Sequence, residues 1–133
     1  MALVFALVAG CFSSSYGRQA ATHAEVLTAI ARKGADLVAS GRLTAESMPE
    51  LTYPLERAQA FVGDQEARGG TLPRSLLELE TLVARYRDFV DALDRVRRER
   101  SGDAARAALA EPLARVEASG EAVRAALRAE GRL

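Results

Sequence analysis

From Arg18 onward the apolar residues of the chain recur every three or four positions, the period at which side chains share one face of an α-helix. Four such segments are visible. The first runs from about Ala20 to Ser40, with His23, Leu27, Ile30, Gly34 and Leu37 on one stripe and Val26 and Val38 beside it. Gly41 is placed to end it, since glycine accepts the left-handed conformation just past a helix. The second begins near Thr44 or Ser47. Ser47-Met48-Pro49-Glu50 reads as a capping box, and Pro49 suits a first turn whose amides have no intrahelical partner. Its stripe is Leu51, Leu55, Ala58 and Val62, flanked by Phe61. Pro54 predicts a kink or break near Tyr53, and Gly69-Gly70 a stop.

The third segment has the strongest pattern. Leu72, Leu76, Leu79, Val83, Tyr86, Val90 and Leu93 alternate steps of four and three, and Leu82, Phe89 and Val96 widen the stripe. Thr71 is the expected cap, with Pro73 in the first turn. The fourth segment follows Ser101-Gly102-Asp103, with Asp103 as expected cap. It carries Leu109, Leu113, Val116, Gly120, Val123 and Leu127, with Pro112 inside. Alternating steps of four and three are the seam shared by helices of a bundle, and the intervening loops are short. The expected fold is therefore all-α, an antiparallel four-helix bundle over residues 20–133. Leu51-x-x-Pro54-Leu55-x-Arg57 recurs as Leu109-x-x-Pro112-Leu113-x-Arg115, a faint echo that would make helices two and four equivalents. Gly34 and Gly120 interrupt stripes of larger residues, which predicts close packing against them, with Tyr86 or Phe89 as candidates to fill the notch.

Composition changes the picture at the N-terminus. Residues 1–17 carry no charge, and Met1 to Phe12 has no polar side chain except the thiol of Cys11. Such a run is shorter than the roughly 20 residues needed to cross a bilayer, and it suits the apolar part of an export signal. Val8-Ala9-Gly10-Cys11, an aliphatic residue and two small ones before a cysteine, resembles the lipobox of bacterial lipoproteins. That resemblance implies that residues 1–10 are a signal peptide and that Cys11 is lipidated and becomes the first residue of the mature chain. Residues 11–19, rich in Ser and Gly, would then be a flexible tether. Signals of that family open with Lys or Arg, and residues 2–10 have neither, which is expected if the signal starts upstream of Met1. The resemblance also implies a place in the bacterial envelope. Phe12 stands where an Asp often retains such proteins in the inner membrane, so the outer membrane, facing the periplasm, is favoured.

The remaining chemistry is sparse. Eighteen basic residues balance eighteen acidic ones, which argues against a nucleic-acid partner. His23 is the only histidine and Cys11 the only cysteine, too few for a metal site, so no metal or cofactor is expected. A lone His on an apolar stripe reads as a packed residue. Acidic residues are interleaved with Arg in i,i+4 pairs: Asp91/Arg95, Asp94/Arg98 and Glu111/Arg115. No catalytic residue is assigned. Arg95, Arg97, Arg98 and Arg100 cluster at the end of the third helix, where they offset its dipole and form a candidate contact patch for an anionic headgroup or an acidic partner. The function expected is that of a non-enzymatic, lipid-anchored helical adaptor or accessory subunit with an unidentified protein partner. The alternative is a cytoplasmic interaction module whose apolar N-terminus packs on a partner.

Overall fold

In the computed structural model, residues 2–133 are described at the level of the backbone and residues 15–133 at the level of side chains. Four α-helices follow one another: α1 (Ala2–Ala39), α2 (Met48–Ala67), α3 (Arg74–Glu99) and α4 (Gly102–Ala129), with one 3-10 turn at Ala45–Ser47 before α2. No strand occurs among the described residues. The chain runs up and down, so that α1 and α3 are parallel and α2 and α4 antiparallel to them. Tyr16 near the described start of α1 meets Ser75 at the start of α3, and Gly34 late in α1 meets Leu93 late in α3. The helices α1 and α3 touch across the bundle, whereas α2 and α4 each pack on both of them and not on one another. That arrangement gives α2 and α4 equivalent places. Among the echoed positions, Leu51 and Leu109 are both buried, whereas Leu55 is buried and Leu113 only half-buried.

Helix α3 supplies the centre of the core. Leu76, Leu79, Leu82, Tyr86, Phe89 and Leu93 are at most 1% exposed, as the alternating spacing required. In α4, Leu109, Val116, Gly120, Val123 and Leu127 are buried, with Leu113 half-buried.

In α1 the buried face is rotated from the expected one. It consists of Tyr16, Ala20, Ala24, Leu27, Ala31, Gly34 and Val38, while Ile30 and Leu37 are only half-buried and Val26 is exposed. The reason is closeness. A methyl group built on Gly120 would lie 2.6 Å from the Thr28 hydroxyl, and one on Gly34 would lie 3.1 Å from a Leu93 methyl. At such a separation alanine fills the interface and a larger aliphatic is pushed to its edge. Leu93 and Thr28, not Tyr86 or Phe89, therefore occupy the two glycine notches.

Several local expectations also change. The capping box at Ser47 is not formed: the Ser47 hydroxyl lies 3.0 Å from that of Thr44 and makes no cap bond, because Thr44–Ser47 is already wound into the 3-10 turn. The N-cap positions of α3 and α4 are Pro73 and Ser101 rather than Thr71 and Asp103, and neither makes a side-chain cap bond. Pro54 is accommodated within a continuous α2. Proline has no amide to give to the carbonyl four residues back and its ring crowds that turn. In the same turn, the Leu51 carbonyl accepts a 2.5 Å hydrogen bond from the buried Tyr86 hydroxyl. At the end of α1, Gly41 takes φ +71° and the Arg42 amide donates to the Leu37 carbonyl, the helix stop that the sequence predicted.

Candidate functional site

A buried polar arrangement lies where residues 16–17 of α1, the start of α3 and the residues after α4 meet. There the hydroxyls of Tyr16 and the fully buried Ser75 are 2.8 Å apart. The Ser75 amide, in the first turn of α3, donates to Glu130 Oε1 at 3.0 Å. A carboxylate in that place satisfies an amide that has no intrahelical partner and complements the helix dipole. Glu130 Oε2 is buried without a hydrogen bond of its own, and Arg132 Nε approaches it at 3.6 Å. The Arg132 guanidinium lies over the Tyr16 ring, 4.9 Å from its centre. The left-handed turn at Gly131 (φ +69°) directs the chain back so that Arg132 can reach both groups. Burial raises the Tyr16 pKa; the Ser75 hydrogen bond and Arg132 oppose that rise, and Glu130 adds to it.

Gly17 completes the arrangement. A methyl group on it would sit 2.2 Å from the Arg132 carbonyl oxygen, so the backbones of α1 and the α4 extension meet directly. Residues 15–19 were expected within a tether; they are helical instead, and Tyr16 is 8% exposed. The physical reason is the ring of Tyr16, which gains a stacked partner in Phe61 (5.9 Å between centres) and a hydrogen bond, where a tether would leave it in water. The signal for this was present: Tyr16, Ala20, Ala24, Leu27, Ala31, Gly34 and Val38 form one helical stripe, concealed because most of its members are small. The side chains of residues 1–14, that of Cys11 among them, lie outside those described.

No family model matches this sequence, no curated protein matches it, and no solved structure matches its fold. Ser75 is sealed, and no group of three metal-ligating side chains is found among the described residues. What the arrangement does physically is lock the entrance of α1 to the exit of α4.

His23 is half-buried and tilts against Phe61 at 4.9 Å between ring centres. Burial lowers its pKa, and the positive charge of Arg57 lowers it further. The patch expected at Arg95, Arg97, Arg98 and Arg100 lies at the far end of α3. Arg97 and Arg98 both close on Asp94, Arg97 at 2.8 Å. Arg95 and Arg100 are exposed and make no ion pair among the described residues; Asp91 does not pair with Arg95. Arg95 instead borders a groove of about 480 Å3 between α3 and α4, floored by Ala92, Ala108 and Pro112. The i,i+4 pair Glu111–Arg115 forms as expected, at 2.5 Å. Three further pairs tie α1 to α4: Arg32–Glu117 at 2.7 Å, Asp36–Arg106 at 2.9 Å, and Glu25–Arg124. No helix among the described residues is long and apolar enough to cross a membrane.

Proposed function

We propose that the protein is a lipid-anchored envelope lipoprotein, a non-enzymatic helical adaptor attached through Cys11 and facing the periplasm, with the outer membrane favoured over the inner. The observation that carries this reading is Val8-Ala9-Gly10-Cys11, placed at the end of an uncharged apolar run. Four residues at most ~3.6 Å each separate Cys11 from Ser15, a reach of roughly 14 Å. An acyl group on Cys11 would therefore hold the Tyr16 end of the bundle at the membrane. The patch of Arg95, Arg97, Arg98 and Arg100 belongs to the opposite end: α3 spans 26 residues, about 39 Å at 1.5 Å per residue. Its role in this reading is contact with an acidic partner and not with the headgroups of the anchoring leaflet. No metal or cofactor enters the proposal.

The test is fractionation. Cells producing the protein should retain it in the membrane pellet after a high-salt wash, and Cys11→Ser should release it to the soluble fraction, because stable attachment requires two or more acyl chains. Retention of the Cys11→Ser protein would overturn the reading. It would favour the alternative, a cytoplasmic interaction module whose apolar N-terminus packs on a partner. One observation favours that alternative: the chain is already helical at residues 15–19, so the apolar run leads straight into a packed helix.

A further inference from the structure

We propose that the flank of α3 that borders α4 is a docking surface for a second copy of this chain, set antiparallel about a two-fold axis midway between Arg85 and Asp88. The inference stands apart from the anchoring reading, since it uses no residue of the N-terminal run.

The order of charges carries the inference. A row of residues runs from Arg74 to Glu99 in alternating steps of four and three, one face of α3 about 38 Å long at 1.5 Å per residue. Its charges alternate in sign: Arg74, Glu78, Arg85, Asp88, Arg95, Glu99. The small residues Thr81 and Ala92 fill the two remaining places. Three charges of each sign leave the row neutral, which does not suit a uniformly acidic or basic partner. Laid against itself head to tail, the row opposes unlike charges at every charged position. Arg85 meets Asp88, Glu78 meets Arg95 and Arg74 meets Glu99, each twice by symmetry, while Thr81 meets Ala92. Other registers lack this match. A shift of one heptad sets Arg85 against Arg95 in one direction and Glu78 against Asp88 in the other, and a parallel copy in register sets every charge against its own kind. Like charges in contact across an interface are costly, so the pattern selects one register and one direction.

The folded chain leaves these charges available. Arg85, Asp88, Arg95 and Glu99 are exposed and make no ion pair among the described residues, although Arg85 and Asp88 are three apart on the helix and Arg95 and Glu99 four apart. Within the row Arg74 and Glu78 pair with one another, at 2.8 Å. Beside the row lies the groove of about 480 Å3 floored by Ala92, Ala108 and Pro112, and the α4 charges that border it, Glu111 and Arg115, pair together and add no net charge. Such a floor lets a second helix approach closely, and Thr81 opposite Ala92 removes bulk on both sides of the axis. Leu77, 44% exposed at the edge of the row, is covered by the alkyl stem of the second copy's Arg95. The floor supplies the apolar area and the charges supply direction and register, since exposed ion pairs add little strength singly. The two-fold sets the Tyr16 ends of the two copies at opposite ends of the dimer, so that a dimer anchored through both would lie lengthwise on the membrane.

The experiment is sedimentation equilibrium of the full chain carrying Cys11→Ser, so that no acyl group contributes, at about 10–200 μM, where weak association is resolved. The expected result is a monomer–dimer equilibrium. Arg85→Glu places a like charge against Asp88 twice in the dimer and should raise the dissociation constant at least about tenfold. Arg85→Glu combined with Asp88→Arg exchanges the two signs, restores unlike contacts, and should return the constant to within about threefold of the parent. Arg87→Glu, off the row, should leave it unchanged, all four proteins showing the same helical circular dichroism. A parent that stays monomeric, an association that Arg85→Glu leaves unaltered or that Arg87→Glu weakens equally, or a double exchange that fails to restore the dimer would overturn the surface.

Discussion

Gly17 and Gly63 sit in neighbouring helices and should respond oppositely to the same substitution. A methyl group on Gly17 would collide with a backbone carbonyl, which cannot swing aside as a side chain can. Gly17→Ala should therefore cost about 1–3 kcal/mol, measured by urea denaturation. Gly63 lies inside α2 with nothing within 4 Å of an added methyl, so Gly63→Ala should stabilise by about 0.5–1 kcal/mol. Tyr86→Phe should lose about 0.5–1.5 kcal/mol, because the buried hydrogen bond from the Tyr86 hydroxyl to the Leu51 carbonyl is removed. His23 gives a pH dependence of defined sign. Its folded pKa lies below its ordinary value because burial and Arg57 disfavour the cation. Over the window below about pH 6.5 the unfolded chain binds the proton first, so the contribution of His23 is full above that pH and is lost as pH falls toward the folded pKa. His23→Gln should flatten that part of the stability profile, read from midpoints of urea melts between pH 5 and 7.5.

At the level of elements, the two kinds of helix interface explain what the sequence made legible. Helix α3 was readable because its buried face is built from Leu, Val, Tyr and Phe, whose spacing stands out against charged neighbours. Leu79→Ala there should cost about 2–5 kcal/mol as a cavity forms at a position with no exposure. Helix α1 was legible as a helix but not in its facing. Its close approach to α4 selects Ala20, Ala24 and Ala31, and hydrophobicity alone ranks those below Ile30 and Leu37. The helical state of Ser15-Tyr16-Gly17 was hidden for a related reason: it has the composition of a linker, and its tertiary partners Phe61, Ser75 and Arg132 hold it within α1. The cap at Ser75 could not be read locally either, since its acceptor, Glu130, is 55 residues away. A direct consequence follows for truncation. A chain beginning at Ser15 should melt cooperatively. One beginning at Arg18 loses the buried Tyr16 ring and should be about 3–5 kcal/mol less stable, both followed by circular dichroism at 222 nm.

For the whole molecule, the polarity of the bundle is the organising fact. The lock of Tyr16, Ser75, Glu130 and Arg132 lies at one end. The patch of Arg95 and Arg100 and the α3–α4 groove that Arg95 borders lie toward the other. A lipid anchor at Cys11 would use the first end for the membrane and present the second to a partner, whereas a cytoplasmic module would place its partner at the first. The measurement that separates these accounts most directly is the intact mass of the protein recovered from cells, with the N-terminal peptide sequenced. The account predicts a chain that begins at Cys11 and carries the added mass of a diacylglyceryl group, with or without a third acyl chain. A chain that retains Val8-Ala9-Gly10 ahead of an unmodified Cys11 would contradict it.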